Sequence, residues 1–488
     1  MSNGKIIKAT FTNRSAGLAV RWKLSVRPLS AIILVLGLSV AAEFYARRAV
    51  AQSFRVPFKQ FQLDNGLRVV LSEDHSAPVV AVVLYYDVGS RNEVKGRTGF
   101  AHLFEHMMFQ GSKNVGKTQQ FAYVENNGGV LNGSTHSDFT NYYDLLPSNQ
   151  LALALWLEAD RMRSLAITPE NLKNQQEAVK EEKRMRIDNQ AYWPALEMMD
   201  QMIFKNWANA HPTIGSMEDL DAARVTDVKQ FFDIYYAPNN AVLTIAGDIS
   251  YAEAEELVRK YFTSIPRQKA PPPVDVSEPS GVSRDKAVVD DQHAQVPGVA
   301  IAWKIPERRS RDFYAIELLK DILLDGESSR LYQKMVKEKA VSVEIQAFLD
   351  ERRGPGAFTI FTVHKGEVKS EEVQALIEEE IERIKAEGVP EKELSKVKNQ
   401  LRLSRFTEGG DEGEHGSLQA ALGRALGLAE HTLFDGDPSL INSEIDRYLA
   451  VTADQIKNAA RKYFVAENRS VVYIRPAPKA KPAGDSDR

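Results

Sequence analysis

The sequence contains no cysteine. Disulfides and thiolate metal ligands are therefore both excluded, and any metal must be held by histidine, aspartate or glutamate. Neither charge is in large surplus: 62 Lys and Arg stand against 66 Asp and Glu, a formal net charge of −4. With no basic stripe carrying interleaved aromatics, nucleic acid is not expected as a partner. Acidic side chains are missing from residues 1–42, which carry Lys5, Lys8, Arg14, Arg21, Lys23 and Arg27. The apolar run from Ala31 to Ala42 is too short to span a bilayer comfortably but has the length of a signal-peptide core, and Ala49-Val50-Ala51 offers a cleavage site. Residues 1–52 are expected to be a signal peptide, or a membrane anchor where cleavage fails. The folded part would then be exported, periplasmic or anchored at the inner membrane. A mitochondrial presequence is the alternative, although such segments are amphipathic and do not carry a continuous apolar block.

What is present begins with length. At 488 residues the chain exceeds what one core supports, and about 150 residues per domain suggests two to four domains. The stretch with the most chemistry is Gly99-Phe100-Ala101-His102-Leu103-Phe104-Glu105-His106-Met107-Met108-Phe109. At 3.6 residues per turn, His102 and His106 stack on one helix face with Glu105 beside them, while Leu103, Phe104, Met107 and Met108 cover the other faces. Two imidazoles four apart can share one zinc ion, and a neighbouring carboxylate can take a proton from water activated there. A chance H-x-x-E-H in a chain this long is roughly a one-in-a-hundred event, so a plain buried helix is a real competitor. Catalytic zinc needs a third protein ligand.

Phe61 to Leu71 alternates around Asp64-Asn65-Gly66, a hairpin pattern. Val79 to Val88 reads as a strand, as do Val130 to Thr135 and Thr140 to Leu145 after Gly128-Gly129, and Val242 to Asp248 reads as a buried one. Thr168-Pro169-Glu170 opens a helix expected to reach about Ile187 through Glu177, Glu181 and Glu182, and spacing alone does not choose a third ligand among these acids. Proline-rich 267–292 reads as a linker between 53–266 and 293–476, and 477–488 reads as a disordered tail.

Beyond the linker the chain starts again. Ala315 to Gly326 repeats the apolar rhythm of Phe100 to Gly111, and Val389-Pro390-Glu391 echoes Thr168-Pro169-Glu170. Lys462 to Asn468 and the strand after it echo Tyr235 to Asn240 and theirs. At the places of His102, Glu105 and His106 the second half carries Glu317, Lys320 and Asp321. Matching helices with and without the histidines argue that the fold does not need them for packing.

These motifs, with Phe109-Gln110-Gly111-Ser112, Gly128-Gly129, Asn132, Glu177 to Arg184, His211-Pro212-Thr213-Ile214-Gly215-Ser216 and Tyr236 to Asn240, resemble the pitrilysin or insulinase-type zinc peptidases over roughly 55–476. The likeness extends to bacterial zinc-bearing subunits related to mitochondrial processing peptidase. It implies an α+β fold of two homologous halves, each an antiparallel sheet with helices packed on it, enclosing a chamber. It further implies zinc on His102, His106 and Glu182, Glu105 as general base, and a peptide added as an edge strand near Gly129, Asn132 and Gly133. The expected activity is endopeptidase cleavage of peptides or short unfolded segments. A presequence-processing peptidase and a non-catalytic scaffold subunit of the same fold are the competing readings. The supporting carboxylate the family often places seven residues before the third ligand is here Gln175, with Glu177 as a candidate substitute. The Arg/Tyr pair that the family's second half offers substrate falls on Val336 and Val343. That departure implies a homologous partner chain supplying the pair; the alternative is a different donor in this same chain, Arg330 or Tyr332, with the enzyme acting alone or as a homodimer.

Overall fold

The computed structural model describes residues 55–407 and 420–478. The expected signal or anchor segment, 1–52, and the tail beyond Pro478 lie outside the described residues.

The first half opens as its turn chemistry dictates. Gly66 has φ +93°, which a side chain rarely adopts, and a Cβ there would lie 2.7 Å from Asn239 Cβ. Around this turn β1 (Lys59–Gln62) pairs antiparallel with β2 (Arg68–Glu73). The chain continues through β3 (Val79–Tyr86), α1 (Phe100–Met107), α2 (Gln119–Glu125), β4 (Val130–Thr135) and β5 (Thr140–Pro147). Next come α3 (Leu151–Ser164), α4 (Pro169–Lys183), α5 (Trp193–Ile203), α6 (Val225–Tyr235), β6 (Ala241–Gly247) and α7 (Tyr251–Phe262). The second half holds β7 (Lys286–Asp291), β8 (Gly298–Ile305), α8 (Arg311–Leu324), β9 (Ser342–Asp350), β10 (Gly356–His364), α9 (Ser370–Glu387) and α10 (Glu391–Thr407). It ends with α11 (Ala421–Phe434), α12 (Leu440–Leu449), α13 (Ala453–Tyr463) and β11 (Arg469–Pro476).

The strand orders are β1-β2-β6-β3-β5-β4 and β7-β11-β8-β10-β9. Setting β1 aside, each strand of the first sheet has a counterpart in the second at the same place, so the repeat heard in the sequence is a repeat of topology. The sheets are not purely antiparallel as expected. Each carries one parallel pair, β2 with β6 and β7 with β11, where the last strand of the half returns beside β2 in the first and beside β7 in the second.

Two expectations about boundaries are corrected. The segment 267–292 is not a free linker: its end is β7, and upstream Glu278, with a fully buried side chain, accepts hydrogen bonds from the Lys205 and Asn206 amides, Asn209 Nδ2 and Lys304 Nζ. Nor do the halves part cleanly at that segment. Helix α5 of the first half lays Ala195, Met199, Met202 and Ile203 on Ala300, Ala302, Phe361 and Val472 of the second sheet. In return α11 lays Ala421, Ala425, Ala429 and Leu433, four residues apart along one stripe, on Ala81, Val83, Val242 and Ala246 of the first. Helices therefore cover both faces of the central strands. This explains why β6 is buried at every position and why β3 reads as a continuous apolar run without alternation.

A cavity of about 300 Å³ lies where the halves meet, lined by Thr135, His136 and Asp138 of the first and by Asp350, Glu351 and Arg352 of the second.

Candidate metal centre

Helix α1 forms because its apolar residues recur at helical spacing and have a core to enter. Phe100, Leu103, Phe104 and Met107 are buried, and Phe104 packs among Phe231, Phe232 and Tyr236. Each such side chain contributes about 1.5–3 kcal/mol by leaving water. The opposite stripe carries His102, Glu105 and His106, with the two imidazoles 4.8 Å apart between centroids and nearly perpendicular.

Helix α4 supplies the third group. Thr168 caps it, its hydroxyl accepting from the Asn171 amide, and the last α-helical turn passes into a π-helical turn over Arg184–Asp188. Glu182, just before that change of pitch, sends Oε2 to 3.2 Å from His106 Nε2 and 3.7 Å from His102 Nε2. Glu181 points away and pairs with Arg184. Among the described residues, His102, His106 and Glu182 are the one group of three whose ligand atoms all lie within 4.8 Å of one another.

These residues fit a zinc ion. Ligand atoms at about 2.0–2.1 Å from a tetrahedral zinc stand roughly 3.3–3.4 Å apart, close to both distances found here. Protonation suits it as well. Burial, then the nearby charge of His106, pushes the His102 imidazole down to about 4, keeping it neutral. Burial alone would lower His106, but its hydrogen bond to Glu182 and the Glu105 charge raise it, and the same bond holds Glu182 below the usual carboxylate range. A metal entering this set would displace the His106 proton.

Gln175 takes the supporting place seven residues before Glu182. Its Oε1 lies 3.3 Å from His106 Nδ1 and accepts the proton there, which leaves Nε2 facing Glu182. Glu177 does not substitute for it: it is largely exposed and pairs with Lys180 at 2.7 Å. His102 Nδ1 is buried without a hydrogen-bond partner.

Glu105 is buried, and burial is the main cause that raises its carboxyl. Its Oε2 accepts a 2.6 Å hydrogen bond from the Thr135 hydroxyl at the end of β4. Sequence reasoning did not single out Thr135, and no local signal marks it, because the contact joins a helix to a strand 30 residues on. Gly133 lies beneath the base: a Cβ there would stand 3.2 Å from Glu105 Cγ and 3.1 Å from Tyr142 Cδ1. Asn132 is exposed on β4, the free edge strand of its sheet. Gly129, expected at the substrate, is instead buried against β5, where a Cβ would meet Leu145 O at 2.7 Å. In the second half Arg330 is committed to Glu393 and Glu380, which removes it as a free donor. Val343 is exposed on β9.

Residues 68–214 match the family model described as insulinase (peptidase family M16), and residues 223–401 match the family model described as peptidase M16 inactive domain. The chain belongs to this pitrilysin-type family of zinc peptidases, the peptidase-domain match lying within the first half and the inactive-domain match running from the end of the first half into the second. A zinc protease of Helicobacter pylori, PqqE, is 28% identical over 93% of this chain and 99% of its own length. A protease from Helicobacter pylori has a crystal structure that matches 87% of this chain and all of its own, with a TM-score of 0.81 and 26% identity. The first half of the periplasmic protease PqqL from Escherichia coli shares the fold, with a TM-score of 0.68 at 20% identity over 87% of this chain and 93% of that one.

Proposed function

We propose that this chain is a zinc endopeptidase acting on peptides or short unfolded segments. The observation that carries the reading is the convergence of His102, His106 and Glu182 beside a buried Glu105, next to the free edge of β4. When bound there, zinc would polarise the scissile carbonyl and make water acidic enough to lose a proton near neutral pH. Glu105 receives that proton and later delivers it to the leaving amine, and its raised carboxyl suits both transfers. The Thr135 hydroxyl holds one carboxylate oxygen and so fixes which oxygen is free to act. A substrate segment pairs with the β4 edge through its backbone, which favours breadth over side-chain specificity.

The exported compartment, periplasmic or anchored at the inner membrane through 1–52, is the location this reading takes. The periplasmic PqqL fold supports it; among the described residues no helix is long and apolar enough to cross a membrane. The valines at 336 and 343 favour a catalytic subunit that works with a homologous partner chain.

Glu105→Gln should keep zinc and lose about 10²–10⁴-fold in peptide cleavage. Glu182→Gln should lose most of the metal, and Glu181→Gln should keep it. Near-normal turnover by Glu105→Gln, or zinc lost from Glu181→Gln alone, would defeat the assignment.

A further inference from the structure

Helix α1 has no side chain of its own to cap it, since Gly99, at φ +80°, is the residue before its first turn. The donors there are taken by a residue upstream. Glu93 accepts from the Gly99 amide through Oε2 at 3.0 Å and from the Ala101 amide through Oε1 at 2.8 Å. Its carboxylate thus faces the positive end of the helix with its side chain fully buried. Behind it stands His211, whose Nε2 lies 3.0 Å from Glu93 Oε2 and 2.8 Å from Ser90 O, while Nδ1 lies 2.9 Å from Trp207 O. Every neighbour of either ring nitrogen is an acceptor, so both nitrogens carry protons and the ring is an imidazolium. Trp207 stacks on that ring at 4.1 Å and 13°.

The surrounding contacts leave this junction no slack. Gly215 passes so close that a Cβ on it would lie 2.5 Å from Gly99 Cα, and Thr98 is bound by the Ser216 amide and by Asp219. The second half reaches the same place: Arg352 Nη1 donates to Asn209 O at 2.7 Å, two residues before His211. His102 follows directly on the clamped Ala101, and Glu105 is one turn further along the same short helix.

We propose that the buried Glu93–His211 pair is a positioning device for the metal helix. It sets the axial and rotational register of α1, and with it the aim of His102 at the metal and of Glu105 at the reacting water. This deepens the endopeptidase reading and rests on it. Neither residue touches metal or substrate; both act through the backbone of Gly99 and Ala101.

The test compares wild type with Glu93→Gln and His211→Gln, each loaded with zinc and, separately, with cobalt(II). Both variants should keep the wild-type circular dichroism, bind zinc about tenfold more weakly and show a shifted visible absorption of the bound cobalt. On a peptide substrate kcat should fall by ~10–10², with KM changed by less than about twofold, since a small misplacement of reacting groups has an effect of that order. The double variant should lose no more than the worse single one, because both residues act on one helix end. Unchanged zinc affinity and cobalt absorption in folded variants would overturn the proposal, as would additive losses. So would unfolding of both variants, which would make the pair a support for the whole half. A wild-type chain that cleaves no peptide, alone or mixed with a homologous partner chain, while the zinc and cobalt readouts shift as stated would defeat the endopeptidase reading and leave the positioning role standing.

Discussion

The two halves build the same corner twice and finish it differently. In the first, α1 presents His102, Glu105 and His106 to Glu182 on α4. In the second, α8 presents Glu317, Lys320 and Asp321, and Leu403 on α10 lies as far beyond Pro390, the residue before that helix, as Glu182 lies beyond Pro169. Lys320 pairs with Asp321 at 3.2 Å, and the Tyr448 hydroxyl donates to Glu317. Arg309, His431, Glu444 and Tyr448 line a cavity of about 490 Å³ there together with these groups. A buried metal set needs neutral imidazoles and an anionic carboxylate poised to share one cation. The second half instead mixes ammonium, guanidinium and carboxylate groups that neutralise one another. Both corners sit on helices that bury their apolar residues, with and without the histidines, so the histidines answer to chemistry and not to packing.

The largest effect expected from this difference concerns what the second half fails to provide. The pure chain should bind zinc yet cleave poorly, and a homologous chain carrying Arg and Tyr seven apart should raise turnover by ~10²–10³-fold on mixing, the usual effect of one transition-state donor. Val336→Arg with Val343→Tyr in the same chain should recover part of that gain. Full turnover from a monomer or homodimer, measured by size-exclusion chromatography and peptide assay, would remove the need for a partner.

In packing, by contrast, the halves should behave alike. Phe104→Ala should cost about 3–5 kcal/mol and Leu319→Ala, at the matching place on α8, about 2–5 kcal/mol. Because α5 and α11 are exchanged between the sheets, denaturant unfolding of either variant should remain one transition, seen equally by a probe in each half. Two separate midpoints would show that the exchange does not couple them.

Smaller effects belong to the supporting groups. Gln175→Ala should weaken zinc binding by about 10–100-fold in competition with a chelator, whereas Glu177→Ala should leave it unchanged. A reversed order would return the role to Glu177. Burial raises the Asp321 carboxyl from 3.8 to about 6 against the pull of Lys320. The folded state therefore binds more protons than the unfolded state between these values, and this group's contribution to stability is fully present below about pH 4 and lost as pH rises through about 6. Asp321→Asn should flatten that part of the stability profile; an identical slope in the variant would show that Asp321 does not set it.

The features legible in the sequence were those whose partners lie within a few residues. The H-x-x-E-H spacing sets two imidazoles and a carboxylate on one helix stripe, Asn65-Gly66 supplies the positive φ a tight hairpin needs, and Thr168-Pro169 starts a helix. Each is a consequence of local backbone geometry, so each stands in the folded chain near the place read from the linear one. The two-half organisation was also audible, because a repeated fold repeats its apolar rhythm.

Tertiary structure alone decided the rest. Whether Gln175 or Glu177 supports His106 depends on which face of α4 meets α1. That Thr135 holds Glu105, and that Gly129 packs on β5 while Gly133 lies under the base, depends on strand register. The parallel pair in each sheet, the exchange of α5 and α11 and the Glu93–His211 clamp join residues that are neighbours only after folding. Hydrogen bonds and buried charges choose partners by distance in space, and a linear pattern carries that distance only within one helix or one turn.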